Sequence, residues 1–75
     1  MSLRLYAKFR ESLGSDRVEM SLDEGATIIE ALEKLFRGPP PTGVMVALND
    51  RLVNDLNIEL HDGDAIDVMP PASGG

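Results

Sequence analysis

The chain has 75 residues, no cysteine and a formal net charge of −6. A protein of this size forms one domain with a thin core, which leaves little room for a deep, walled active site. We therefore expect a carrier, a subunit or a binding module rather than an independent enzyme. The acidic surface disfavours nucleic acid and anionic membranes as partners. It either attracts basic partners or simply keeps the protein soluble.

The composition also limits the chemistry and the location of the protein. Without cysteine, neither disulfides nor thiol nucleophiles are available, so any sulfur chemistry must use a group other than a side chain. The N-terminal sequence lacks the apolar stretch of a secretory signal, and no apolar run is long enough to span a membrane. These features predict a cytoplasmic protein that binds no membrane.

The N-terminal part of the chain predicts two strands. Apolar residues alternate with polar ones over residues 3–9, which is typical of a strand with one face in the core. Residues 10–14 predict a short helical turn closed by glycine. A second alternation over residues 18–22 predicts another strand, and we expect the two strands to pair as a hairpin with a long connection.

One clear helix follows. Thr27 and Glu30 have the spacing of a capping box, in which each residue satisfies backbone donors at the helix start. Apolar residues recur on one face over residues 28–36. Glu30 and Lys34 predict an ion pair between positions i and i+4 on the outer face. Gly38 and the three prolines after it are expected to end the helix.

The remaining sequence predicts three strands, at residues 44–48, 51–53 and 65–69, with turns at Asn49-Asp50 and Asp62-Gly63. A single helix across one face of a mixed sheet is the economical packing, because each element has one apolar face to bury. We therefore predict an α+β fold of the β-grasp type that ubiquitin has, with the last strand inside the sheet.

Side chains suited to catalysis or metal binding are sparse. Asp62 and Asp64 flank a glycine in a predicted turn, where aspartate is favoured for backbone hydrogen bonding, and their spacing does not match an EF-hand. His61 is the only histidine, and without a second histidine or a cysteine it makes a poor metal site. We expect these residues to form a turn at the surface.

The best functional candidate is the sequence that ends in Gly74-Gly75. Pro70 and Pro71 favour an extended conformation, and glycine lacks a Cβ, so the tip can enter a narrow cleft. At roughly 3.3 Å per residue, the tail could extend about 20 Å. A frayed terminus is the plainer alternative. We predict a β-grasp domain over residues 1–69 and an extended tail, residues 70–75, that delivers its terminal carboxylate to a partner.

A partner would have to dock near the base of this tail. Tyr6 belongs to the outward set of its predicted strand, and Met69 ends the last strand. If the two strands are neighbours, an exposed apolar patch lies beside the tail, although single exposed apolar residues are also common. We predict partner contacts at the residues of this region: Tyr6, Met69, Pro70, Pro71 and Ser73.

Two parts of the sequence resemble a known family. The first is LYAKFRESLGSD at residues 5–16. The second comprises VALN at residues 46–49, LHDGD at residues 60–64 and PPASGG at residues 70–75. Both are similar to the small subunit of molybdopterin synthase, in the MoaD/ThiS family of ubiquitin-like sulfur carriers.

The resemblance implies a noncatalytic sulfur-donor subunit of a sulfurtransferase. Gly75 would be adenylated by an ATP-using enzyme similar to the ubiquitin activators and converted, with a sulfurtransferase, to a thiocarboxylate, while Gly74 provides clearance. The tail would then enter the large subunit of molybdopterin synthase, where the sulfur is used for the molybdenum cofactor. No permanently bound cofactor is implied, since ATP is used by the activating enzyme.

Other functions stay open at this point. Related carriers supply sulfur for thiamine, cysteine or tRNA thiolation. A ubiquitin-like modifier would instead be joined to substrate lysines through Gly75. The third possibility is a β-grasp interaction domain whose tail has no chemical role.

Overall fold

The computed structural model describes residues 1–71. In this part of the chain, one five-stranded sheet has the strand order β2-β1-β5-β3-β4. The two central strands, β1 and β5, are parallel, and the other neighbours are antiparallel. The elements are β1 (Ser2–Leu5), α1 (Ala7–Leu13), β2 (Arg17–Glu19), α2 (Ile28–Phe36), β3 (Met45–Leu48), β4 (Arg51–Val53) and β5 (Ala65–Met69). This is the predicted β-grasp arrangement.

The strand predicted over residues 3–9 is too long, because β1 ends at Leu5. The chain turns at Ala7, which has a φ of 51°, and enters α1. Phe9 still reaches the core, from the helix instead of the strand. Leu5 and Phe9 are four residues apart, a spacing that fits both periods. The predicted helical turn is the end of α1, closed by Gly14 at a φ of 73°.

The predicted hairpin between the first two strands is confirmed, with Leu3 opposite Val18. β2 is shorter than predicted and ends at Glu19. One further backbone hydrogen bond, from Met20 N to Met1 O at 3.0 Å, extends the pairing beyond the strand. The apolar side chains after β2 therefore still pack against the core, although their backbone has left the ladder.

The start of α2 is as predicted. Glu30 N donates to Thr27 Oγ1 at 3.4 Å, and Thr27 N donates to Glu30 Oε1 at 3.0 Å, which together form the capping box. The predicted ion pair between Glu30 and Lys34 is wrong. Lys34 Nζ instead donates to Ser21 O at 2.8 Å, and the carboxylate is held at the helix start. The partner of Lys34 lies outside the helix, so the helix sequence does not reveal it, whereas the capping box already accounts for Glu30.

Both helices pack on the same face of the sheet. The core contains the inward side chains of the three central strands and the apolar face of α2: Leu3, Leu5, Val46, Ile66, Val68, Ile28, Ala31 and Leu32. Phe9 of α1 contacts Phe36 of α2 edge to face, with ring centroids 5.2 Å apart. Each fully buried aliphatic side chain contributes about 1.5–3 kcal/mol relative to exposure. Ile66 and Val68 of β5 are fully buried in this core.

Candidate functional site

The strand that leads to the tail is held on both sides. β5 pairs in parallel with β1, with Val68 beside Leu5, and antiparallel with β3, with Met69 opposite Met45. Beyond the end of β1, Tyr6 N donates to Val68 O at 3.2 Å. The prediction that the last strand lies inside the sheet is confirmed. The base of the tail is consequently fixed by two neighbouring strands.

The structure brings the predicted docking residues Tyr6 and Met69 together. Val68 and Val46 face the helices. Their chain neighbours Met69 and Met45 therefore face the opposite side of the sheet, here called the open face. Continuing the parallel register of β1 and β5 places Tyr6 beside Met69. Tyr6 is 40% exposed. Its role in docking a partner stays a prediction.

A second row of open-face side chains crosses the next level of the sheet. It contains Arg4, Asp67, Ala47 and Leu52, from four adjacent strands. Leu52 is 65% exposed, more than any other large hydrophobic side chain in residues 1–71. Sequence reasoning missed it, because three residues are too few to show a period. The two-residue turn at Asn49-Asp50 was the available signal, since it fixes the register that places Leu52 opposite Ala47.

The charged residues of this row are paired with one another. Arg4 Nε lies 2.5 Å from Asp67 Oδ1, and Arg4 Nη2 lies 3.0 Å from Asp67 Oδ2, which is a two-point contact. Arg4 Nη2 also lies 3.2 Å from Asp50 Oδ1. The hydrogen bonds and charge of Asp67 raise the pKa of Arg4 above its already high value, so the guanidinium stays charged. The ion pair thereby connects β1, β5 and the β3–β4 turn.

The prolines at the base of the tail are half-buried. Pro70 follows β5 directly, and Pro71 lies close to Gly43 in the loop before β3. The predicted contact residue Ser73 and the predicted reactive residues Gly74 and Gly75 lie outside the described residues. Their roles stay predictions.

The other end of β5 has a different construction. Asn49 Oδ1 accepts from Ala65 N at 2.9 Å, and Asn49 Nδ2 donates to Asp64 Oδ1 at 2.9 Å. His61 N donates to Asp64 Oδ2 at 2.8 Å, closing the predicted turn. The hydrogen bond from Asn49 lowers the pKa of Asp64, and the backbone donor of His61 acts in the same direction. The His61 side chain is 78% exposed, as expected for a surface residue.

A cleft of about 790 Å³ opens at this same end of the sheet. Its walls include Met1 and Met20, together with the acidic side chains of Glu24, Glu59 and Asp62. Because Ser2 pairs with Ala65 at the start of β5, the cleft lies at the far end of the sheet from Pro71. It is therefore separate from the base of the tail.

Two features are absent from the part of the chain that the structure describes. Within residues 1–71, no group of three or more histidine, aspartate or glutamate side chains is arranged to hold a metal ion. No helix in this range is both long enough and apolar enough to cross a membrane.

Comparison with other proteins gives the family. The sequence model of the ThiS family matches residues 3–75. This chain belongs to the ThiS family. The match covers both the folded domain and the glycine pair at the end. The family match gives a ubiquitin-like sulfur carrier or modifier, and the β-grasp sheet is consistent with it.

Individual members of the group differ in their described roles. This ThiS-family chain is 32% identical over 90 residues to small archaeal modifier protein 3 of Haloferax volcanii, covering 100% of the chain and 98% of that protein. It is 28% identical to the structure of a putative molybdopterin converting factor, subunit 1, from Pyrococcus furiosus, with a TM-score of 0.80 and 95% of each chain covered.

Another similar structure contains a second subunit. It is the complex of subunits 1 and 2 of the molybdopterin-converting factor from Helicobacter pylori, 23% identical, with a TM-score of 0.64 and 99% and 96% of the two chains covered. At this identity the likeness supports the fold alone.

Proposed function

We propose that this ThiS-family chain is a sulfur carrier that holds sulfur as a thiocarboxylate on Gly75, and that it serves as the small subunit of a molybdopterin synthase. One observation carries the proposal. β5, paired on both sides at the centre of the sheet, leads directly into Pro70, and the family match continues from there to Gly75. A firmly held base with a slim end is what delivery of a terminal group to a second protein requires.

The chemistry uses the carboxylate of Gly75 and needs no side chain of this chain. A carboxylate is a poor electrophile, so its oxygen first attacks the α-phosphorus of ATP on an activating enzyme, and pyrophosphate leaves. Sulfide delivered by a sulfurtransferase then attacks the carbonyl carbon of the acyl-adenylate, and AMP leaves with the original carboxylate oxygen. The product is a thiocarboxylate, which explains how a chain without cysteine carries sulfur.

The folded body supplies most of the binding energy for these encounters, because a two-glycine tip offers little contact area. The open face next to the tail presents Tyr6, Met69 and Leu52 to a partner. Aromatic residues and methionine are enriched at interface cores. The net charge of −6 favours an activating enzyme and a large synthase subunit with basic surfaces around an apolar centre.

Co-expression with an activating enzyme and a sulfurtransferase tests the proposal. Intact-mass measurement should detect the mass increase that accompanies replacement of one oxygen by sulfur. Deleting Gly75 should abolish the increase and leave urea unfolding unchanged, because the described core residues lie between Leu3 and Val68. A Gly14→Ala variant, in which the added Cβ would have no atom within 4 Å, serves as the positive control. An unmodified wild-type protein, or a modified deletion variant, would refute the proposal.

A second function has a specific observation in its favour. The likeness to small archaeal modifier protein 3 supports attachment of Gly75 to lysines of other proteins. In that reaction a lysine amine, in place of sulfide, displaces AMP and forms an isopeptide bond.

The test for conjugation follows from the sequence. No lysine or arginine follows Arg51, so trypsin leaves the whole segment 52–75 on the acceptor lysine. The search should target this branched peptide in cell lysates, because the short Gly-Gly remnant will not be produced. The same search in cells that express the Gly75 deletion is the control. Branched peptides in the wild type alone would favour the modifier function.

A further inference from the structure

The loop before β3 approaches the base of the tail at Gly43. The antiparallel register of β3 and β5 ends with Met45 opposite Met69, and its continuation places Gly43 opposite Pro71. A Cβ atom added to Gly43 would lie 3.0 Å from Pro71 Cβ and 3.6 Å from Pro71 Cγ. The first distance is too short for an ordinary carbon–carbon contact. The absence of a side chain on Gly43 is therefore what allows Pro71 its position.

Neither side of this contact can yield by rotating a side chain. Pro71 Cβ is part of a ring fused to the backbone, and Pro71 has no N–H with which to extend the ladder. Gly43 has a φ of 79° and is the third residue of a turn closed by Val44 N donating to Pro41 O at 3.2 Å. Glycine is the favoured residue at such a turn position. A Cβ on Gly43 would consequently require the Pro71 ring or the loop to shift by a few tenths of an ångström.

We propose that Gly43 is a positioning residue, which fixes through its contact with Pro71 the direction in which the chain continues towards Gly75. The inference rests on the proposed function, in which the terminal carboxylate must reach the active site of an activating enzyme. Because Gly43 has no side chain, the Pro71 ring can pack directly against the backbone of the loop. Small misplacements of a reacting group lower reaction rates strongly, so the effect should appear in the rate of activation.

The chain offers a matched control for the substitution Gly43→Ala. Gly14 has a φ of 73°, close to that of Gly43, but a Cβ at Gly14 would have no atom within 4 Å. Gly43→Ala and Gly14→Ala therefore add the same methyl group at a similar positive φ, and only the first meets Pro71. The readout is kcat/KM for adenylation, measured as pyrophosphate release by the activating enzyme. A misplaced tail should lower it by about fivefold or more in G43A, while G14A should stay within about twofold of wild type.

A second substitution tests whether the effect passes through Pro71. Pro71→Gly removes both carbon atoms that a Cβ at position 43 would meet. In the P71G background, adding Gly43→Ala should therefore change kcat/KM by less than about twofold, so the two substitutions are strongly non-additive. Equal losses in both backgrounds, an equal loss in G14A, or no loss in G43A would overturn the proposal.

An enzyme-free measurement separates this inference from the proposed function. In ¹H–¹⁵N NMR spectra of the isolated protein, the amide signals of Ser73, Gly74 and Gly75 should shift in G43A and stay in place in G14A. If wild-type protein is never adenylated, the proposed function fails, and these spectra still decide the role of Gly43. Unchanged tail signals in G43A would overturn the positioning role whatever the enzyme does.

Discussion

The two ends of β5 are held in different ways. At its start, the side chains of Asn49 and Asp64 make hydrogen bonds of 2.8–2.9 Å to the backbone and to each other. At its end, the pairing with β3 runs to Met69 opposite Met45, Tyr6 N donates to Val68 O at 3.2 Å, and prolines that have no N–H to donate follow. The side chains around this second end, those of Met45, Met69, Pro70 and Pro71, are apolar. Directional side-chain hydrogen bonds therefore fix the register of β5 at its start, and the far end of the strand exposes apolar side chains.

The largest effect on stability should come from Asn49→Ala. The substitution removes the hydrogen bonds to Ala65 N and Asp64 Oδ1 and places alanine at a φ of 48°. We expect the free energy of unfolding in urea to fall by about 2–3 kcal/mol. Asn49→Gly is the matched control, since glycine tolerates the φ and loses only the hydrogen bonds. If N49A loses no more unfolding free energy than an alanine substitution at an exposed site, the side-chain hydrogen bonds of Asn49 do not hold the start of β5.

The next effect concerns pH and Asp64. Hydrogen bonds to the ionised carboxylate lower its pKa in the folded protein. The stabilisation is therefore present above the unfolded pKa of about 3.9 and is lost as the pH falls through the folded pKa. Asp64→Asn should flatten the decline of the unfolding free energy below about pH 4. Asp55→Asn is a suitable control at an exposed carboxylate. Identical pH profiles for wild type and D64N would contradict this assignment.

The ion pair on the open face should matter less. Arg4 is 41% exposed, so solvent screens its contact with Asp67. We expect Arg4→Met to lower the free energy of unfolding only slightly at low ionic strength, and by less than Asn49→Ala does. The difference should shrink as salt is added, whereas the effect of N49A should not. A loss of unfolding free energy as large as that in N49A would show that the exposed ion pair stabilises the sheet as strongly as the hydrogen bonds of Asn49.

The smallest effect on stability is expected from Leu52→Ser, because this side chain is 65% exposed. We expect a change of at most about 0.5 kcal/mol in unfolding free energy. Binding should be more sensitive: the KM for the activating enzyme should rise if Leu52 is covered by that partner. Leu13→Ser, at another exposed leucine (38%), is the control and should leave the KM unchanged. A KM for Leu52→Ser equal to that of the wild-type protein would exclude Leu52 from the docking surface.

Local signals predicted the parts of the fold in which neighbours in sequence are neighbours in space. The capping box at Thr27 and Glu30, the Asn49-Asp50 turn and the strand Ala65–Met69 all appear where the sequence places them. Each depends on hydrogen bonds or periodicity within a few residues. The prediction of a strand over residues 3–9 is wrong beyond Leu5, because the position of Phe9 fits a helix equally well.

The sequence by itself determined the order of the five strands and of α2, the apolar alternation and the glycine pair at the end. Only the tertiary structure decided that Lys34 bonds to Ser21 O, that Leu52 joins the open face, and that Pro71 rests on Gly43. The physical reason is distance along the chain. These contacts join segments whose relative positions follow from packing of the whole sheet, and no local propensity encodes which backbone atom a distant side chain will meet.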